Sequence, residues 1–158
     1  MDGMSMTGEL GAAGEELAVG WLRAHGFLIM DRNWRMGRYE LDIVAARGER
    51  VHFVEVKLRR AGGLTQPEEA MTAAKGRALL RAANCYIEAR GVTLDCQIDL
   101  VAVDLMPDGS AQVRYVPDAV PLRWEVCPYG QNFILSCRAV PGGAARLRNK
   151  NELADVVV

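Results

Sequence analysis

Apolar positions change period along the chain, and each change marks an element. From Thr7, a candidate N-cap, Leu10, Gly14, Leu17, Ala18, Trp21 and Leu22 fall on one face at about 100° per residue, which predicts a helix to His25 that stops at Gly26. Phe27 to Trp34 (FLIMDRNW) reads as a first strand and leads through Arg35-Met36-Gly37-Arg38 into residues 39–60, YELDIVAARGERVHFVEVKLRR. Alternation on both sides of Arg47-Gly48-Glu49-Arg50 makes that stretch a hairpin, with Gly48 where a type II′ turn needs positive φ. The second strand carries Val51 and Phe53 on one face and Val54, Val56 and Leu58 on the other, so both of its faces are expected to be buried. A loop, AGGLTQ, separates this meander from a second helix with Pro67 at N1, Gly91 as its stop, and Met71, Ala78, Leu79, Ala82, Tyr86 and Ala89 as its apolar face. Two strands follow, CQIDLVAVDL and AQVRYVPDA, joined through the turn residues MPDGS. Helix, three strands, helix and two strands predict an α/β fold with a mixed central sheet flanked by helices.

Beyond Pro121 no period is sustained, although NFILSC is able to add an edge strand and RLRNK is a small basic run. The expected division is a domain over residues 7–120 and an extension over 121–158.

The composition is half hydrophobic and one quarter charged, ordinary for a globular domain. A net charge of −1 argues against a strongly basic nucleic-acid binder, yet Arg32, Arg35, Arg38, Lys57, Arg59 and Arg60 gather in or beside the hairpin. Those cations either balance nearby carboxylates or form a local patch. Cys85, Cys96, Cys127 and Cys137 lack CxxC spacing and the histidines are only His25 and His52, which disfavours zinc fingers and redox dithiols. No apolar run approaches membrane-spanning length and no leader pattern opens the chain; a cytoplasmic location with reduced thiols is expected.

The candidate chemistry lies in the hairpin. A two-residue loop at Gly48-Glu49 places Asp42 across from Glu55 and Glu40 across from Lys57 on one face. Opposed carboxylates repel, and a cation between Asp42 and Glu55 reverses that cost. All-oxygen ligation suits Mg2+ or Mn2+ better than zinc. Two further charges intrude on apolar faces. Glu15 projects between Leu22 and Val19 on the first helix, either reaching a polar site or sitting at a half-buried edge; Lys75 lies mid-stripe on the second, either snorkelling or pointing into a polar site. Arg77 and Arg81 lie on another flank, as solvated charges or phosphate contacts.

Taken in order, GEELAVGWLRAHGFLIMDRNWR, YELDIVA, HFVEVKLRR, PEEAMTAAKGRALLRAA and CQIDLVAVD resemble the YraN family of small, largely uncharacterised bacterial proteins. That family in turn resembles the PD-(D/E)xK nucleases, archaeal Holliday-junction resolvases in particular. The likeness covers roughly residues 8–120 and is far more specific than an isolated ExK. It implies a restriction-endonuclease-like αβββαβ core. Asp42 and Glu55 would be metal ligands, Lys57 would orient or activate the attacking water, and Glu15 would complete the metal site. Glu40 and Lys75 would support the site, and Arg35, Arg38, Arg59 and Arg60 would contact nucleic acid. The implied activity is a Mg2+- or Mn2+-dependent endonuclease on DNA, branched or structured DNA by preference, working as a homodimer on two-fold junctions. A non-catalytic nucleic-acid-binding or scaffolding protein on the same fold is the alternative. Tyr39 stands where the family usually has glycine and Leu58 where threonine often follows ExK, and the tail lies outside the likeness.

Overall fold

A computed structural model describes residues 6–60, 71–120, 122–126 and 133–137. Its elements are α1 (Met6–Ala24), β1 (Leu28–Met36), β2 (Tyr39–Arg47), β3 (Arg50–Arg60), α2 (Ala73–Arg90), β4 (Asp95–Leu105), β5 (Ala111–Val120), β6 (Leu122–Val126) and β7 (Phe133–Cys137).

Gly48 takes φ +59° while Glu49 keeps a negative φ, so the β2–β3 turn closes in two residues as its sequence predicts. The resulting register pairs Arg47 with Arg50 and continues to Ile43 opposite Val54. β1 pairs antiparallel with β2 through a second two-residue turn, in which Gly37 has φ +60°. β4 lies parallel to β3, which requires the long connection that α2 supplies, and β5 returns antiparallel to β4. The five-stranded mixed sheet therefore runs β1-β2-β3-β4-β5 in chain order.

Each sheet face carries a helix, because β2, β3 and β4 are apolar on both sides. Ala18, Val19 and Leu22 of α1 cluster with Ile43, Ala45, Val54, Val101 and Val103. On the opposite face Leu79, Leu80, Ala83 and Tyr86 of α2 cluster with Val44, Val51, Phe53 and Ile98. The two sides of β3 thus divide as the alternation predicts. Gly14 permits a close approach of α1 to β3: a Cβ there would lie 3.1 Å from Leu58 Cβ. Leu17 is exposed rather than buried, and the side chain of Leu10 lies outside the described ones.

Three further predictions need correction. α2 starts at Ala73, not at Pro67, because Thr72 is its N-cap: the hydroxyl accepts the Lys75 N–H at 3.2 Å. Pro67 and the rest of 61–70 lie outside the described residues. The buried face of α2 is Gly76, Leu79, Leu80, Ala82, Ala83 and Tyr86, whereas Ala78 and Ala89 are exposed. Alanine contributes little to a periodic pattern, so the larger side chains set which way the helix faces. Residues 133–137 do not extend the main sheet; β7 pairs antiparallel with β6 in a separate two-stranded sheet.

Candidate functional site

The pairing between β2 and β3 stops at Ile43 and Val54, one residue short of the predicted carboxylate opposition. Asp42 is the cause. Its Oδ2 accepts the Val56 backbone N–H at 2.8 Å, so a side chain takes the place of a ladder carbonyl. Glu40 does not face Lys57 across the sheet; its ladder partner is Arg35 of β1, whose guanidinium it pairs with at 2.8 Å.

Glu55 is a buried carboxylate, 5% exposed, and Lys75 Nζ from α2 sits 2.7 Å from its Oε1. Burial, and then the Asp42 charge, push the Glu55 carboxyl from 4.5 up to about 7, while Lys75 and Lys57 pull it back. Lys75 touches Glu55 directly, and the charges of Asp42 and Lys57 act on it from nearby. Lys57 itself is exposed, and with Arg59 and Arg60 it lines a cavity of about 340 Å3 that also touches Gly11, Val56, Leu58 and Leu105.

The structure does not bring Glu15 into this cluster. Its Oε2 accepts a hydrogen bond from Asn33 Nδ2 at 2.9 Å, tying α1 to β1, while Glu55 is engaged from the opposite face by α2. Among the described residues, no three of His, Cys, Asp and Glu converge as metal ligands. Of the cations expected at nucleic acid, Arg35 pairs with Glu40 and Arg59 with Asp104, which Arg114 also contacts. Arg38 lies over the Tyr39 ring at 5.5 Å, and Arg60 is exposed at the cavity. Arg77 and Arg81 are exposed on α2.

The two carboxylates can be compared with what each metal requires. A closed zinc site takes four protein ligands and an open one three, and Asp42 with Glu55 supplies two carboxylates and no nitrogen or sulfur. Mg2+ is commonly held by one or two carboxylates and completes its shell with waters and substrate phosphates. Glu55 Oε1 already has the Lys75 ammonium as its cation neighbour.

A second buried polar group lies nearer the hairpin end of the sheet, and its sequence pattern marks only the central residue. Asp99 is fully buried, yet its oxygens accept from His52 Nδ1 (2.7 Å), Tyr115 O–H (2.7 Å), Gln97 Nε2 (2.7 Å) and the Asp118 N–H (2.9 Å). Burial, with the charge and hydrogen bond of Asp99, raises the Tyr115 phenol above its usual range. Four donors on one carboxylate make a satisfied network joining β3, β4 and β5. The signal available in sequence is an aspartate inside the apolar run CQIDLVAVDL, which specifies burial without naming the donors.

The model of the uncharacterised protein family UPF0102 matches residues 14–103. A UPF0102 protein of Bacteroides thetaiotaomicron is 39% identical over 116 residues, covering 73% of this chain and 95% of the relative. One from Symbiobacterium thermophilum is 40% identical over 115 residues, 72% of this chain and 98% of the relative. A third, from Chlorobium chlorochromatii, is 38% identical over 105 residues, 66% of this chain and 81% of the relative. The matched span runs from α1 through β4 and includes Glu15, Asp42, Glu55, Lys57 and Lys75.

Proposed function

The chain belongs to the uncharacterised protein family UPF0102, and on that premise we propose that it is a divalent-metal-dependent endonuclease acting on DNA. The observation that carries the proposal is a buried Glu55 carboxylate kept beside Asp42, with the exposed Lys57 two residues on. Two mutually repelling carboxylates destabilise a fold unless a cation joins them.

Asp42 and Glu55 would hold Mg2+ or Mn2+. When bound, the ion supplies a Lewis acid that lowers the pKa of a water and neutralises phosphate charge. The Asp42 bond to the Val56 N–H fixes that carboxylate against β3. Lys57, exposed two residues beyond Glu55 on the same strand, would orient the attacking water and steady charge developing on a phosphodiester. Arg60 extends positive charge along the rim.

Cleavage of four-way junction, flap and linear DNA in Mg2+ or Mn2+ tests the proposal. Wild-type protein is expected to cut at least one structured substrate, Glu55→Ala and Asp42→Asn to lose turnover while staying folded, and Lys57→Ala to lose about 100-fold or more. Undiminished specific cleavage by Glu55→Ala would falsify the assignment.

A non-catalytic nucleic-acid-binding or scaffolding role on the same fold is the second reading. It is favoured by Glu15 being engaged with Asn33 and by Lys75 neutralising Glu55 from within the protein. Metal-independent DNA binding that survives Asp42→Asn, with no cleavage of any substrate, would select it.

A further inference from the structure

Lys75 is the member of the cluster to which the proposed chemistry gives no step. It stands in the first turn of α2, and its backbone N–H is held by the Thr72 hydroxyl at 3.2 Å, so the helix start that carries it is fixed. Its side chain crosses to β3 and puts Nζ 2.7 Å from Glu55 Oε1. The two partners differ sharply in exposure: the Glu55 side chain is 7% exposed and that of Lys75 is 40%. The carboxylate is thus held in place while the ammonium, on a flexible four-carbon stem, borders solvent.

We propose that Lys75 is the resident counter-ion of this site, holding beside Glu55 the place a divalent ion takes, and that metal binding displaces it. The inference rests on the metal reading above. An ammonium at hydrogen-bond distance from a carboxylate oxygen and a divalent ion ligated by the same carboxylate repel each other at close range. The repulsion weakens the hold of the ammonium on Glu55, and Lys75 is the one with a path to water. In the metal-free protein Lys75 offsets the charge that burial would otherwise leave unpaired; once metal binds, it becomes a mobile cation at the edge of the site. A lysine serving only to pre-shape Glu55 for metal would have the opposite effect on affinity.

That difference of sign is measurable without any nuclease assay. Mn2+ binding by calorimetry is compared for the wild type, Lys75→Met and Asp42→Asn at pH 8, after removal of metal with chelator. Removing the competing ammonium is expected to tighten Mn2+ binding about fivefold, the effect of losing one half-exposed ion pair. On the unmodified protein, addition of diamagnetic Mg2+ is followed by NMR of the lysine side-chain nitrogens and adjacent methylenes. Lys57, Lys75 and Lys150 are the lysines of the sequence, so the signals are few. The Lys75 signals are expected to move saturably toward those of a solvated lysine, and to be unaffected by Mg2+ in Asp42→Asn. Equal or weaker Mn2+ binding by folded Lys75→Met, or static Lys75 signals while the wild type binds metal, overturns the proposal and leaves the metal site standing. Absence of binding by both wild type and Lys75→Met overturns both. Should Lys75→Met fail to fold, the NMR titration of the wild type decides alone.

Discussion

Replacing Glu55 by glutamine should make the protein more stable in alkaline solution while removing a carboxylate proposed to hold metal. A carboxyl whose folded pKa lies above its unfolded value binds its proton more tightly when folded, so protonation favours the fold. For Glu55 that contribution is intact below 4.5 and is lost as pH rises through about 7. The interval, at about 1.4 kcal/mol per pH unit, corresponds to about 3 kcal/mol by pH 8. With only 5% exposure, solvent screening removes little of it. Glutamine keeps the shape without the titration. Urea denaturation followed by circular dichroism, in chelator between pH 4.5 and 8, gives the stability difference between Glu55→Gln and wild type. The pH dependence of all other groups largely cancels in that difference. It should rise by about 3 kcal/mol across the window in favour of the mutant, and the same measurement on an Asp42→Asn background should show a smaller rise, since Asp42 is the second cause of the Glu55 displacement. A difference that stays flat across the window would refute the claim that burial and Asp42 hold Glu55 under electrostatic load.

Three further predictions concern the frame around the site. Asp99→Ala leaves His52, Tyr115, Gln97 and the Asp118 N–H without their shared acceptor and should cost about 3–5 kcal/mol in urea denaturation; a loss under about 1 kcal/mol would contradict the network. Thr72→Ala removes the α2 cap and should cost about 1 kcal/mol in thermal melts, with Thr72→Ser close to wild type. Gly14→Val drives a branched side chain into Leu58 and should destabilise by about 1–3 kcal/mol, whereas Gly20→Ala meets nothing within 4 Å and should stabilise by about 0.5–1 kcal/mol. Equal effects at the two glycines would show that α1 does not pack against β3 through Gly14.

The local elements are legible in sequence because each rests on near-neighbour physics. Gly48 specifies its turn through backbone sterics, and the turn sets the register from Arg47↔Arg50 to Ile43↔Val54. The double-sided burial of β3 follows from alternation, which in turn requires a helix on each face. Asp42, Glu55 and Lys57 stand out as charges in an otherwise apolar hairpin, and the structure sets Lys75 of α2 against Glu55. The start of α2 is less legible because a proline followed by two glutamates is a generic helix opening, whereas Thr72 acts through one hydroxyl.

Contacts between elements distant in sequence were decided only by the tertiary structure. Lys75 visibly intrudes on an apolar stripe, but whether it snorkels or meets a partner depends on how α2 turns against β3, and packing of Leu79, Leu80, Ala83 and Tyr86 fixes that turn. Glu15 shows the same ambiguity and resolves the other way, toward Asn33 on an edge strand. Sequence determined which residues carry charge into the interior and the order of the elements that hold them. The fold chose their partners, because a buried charge settles on whichever opposite group the packing of apolar faces brings within reach.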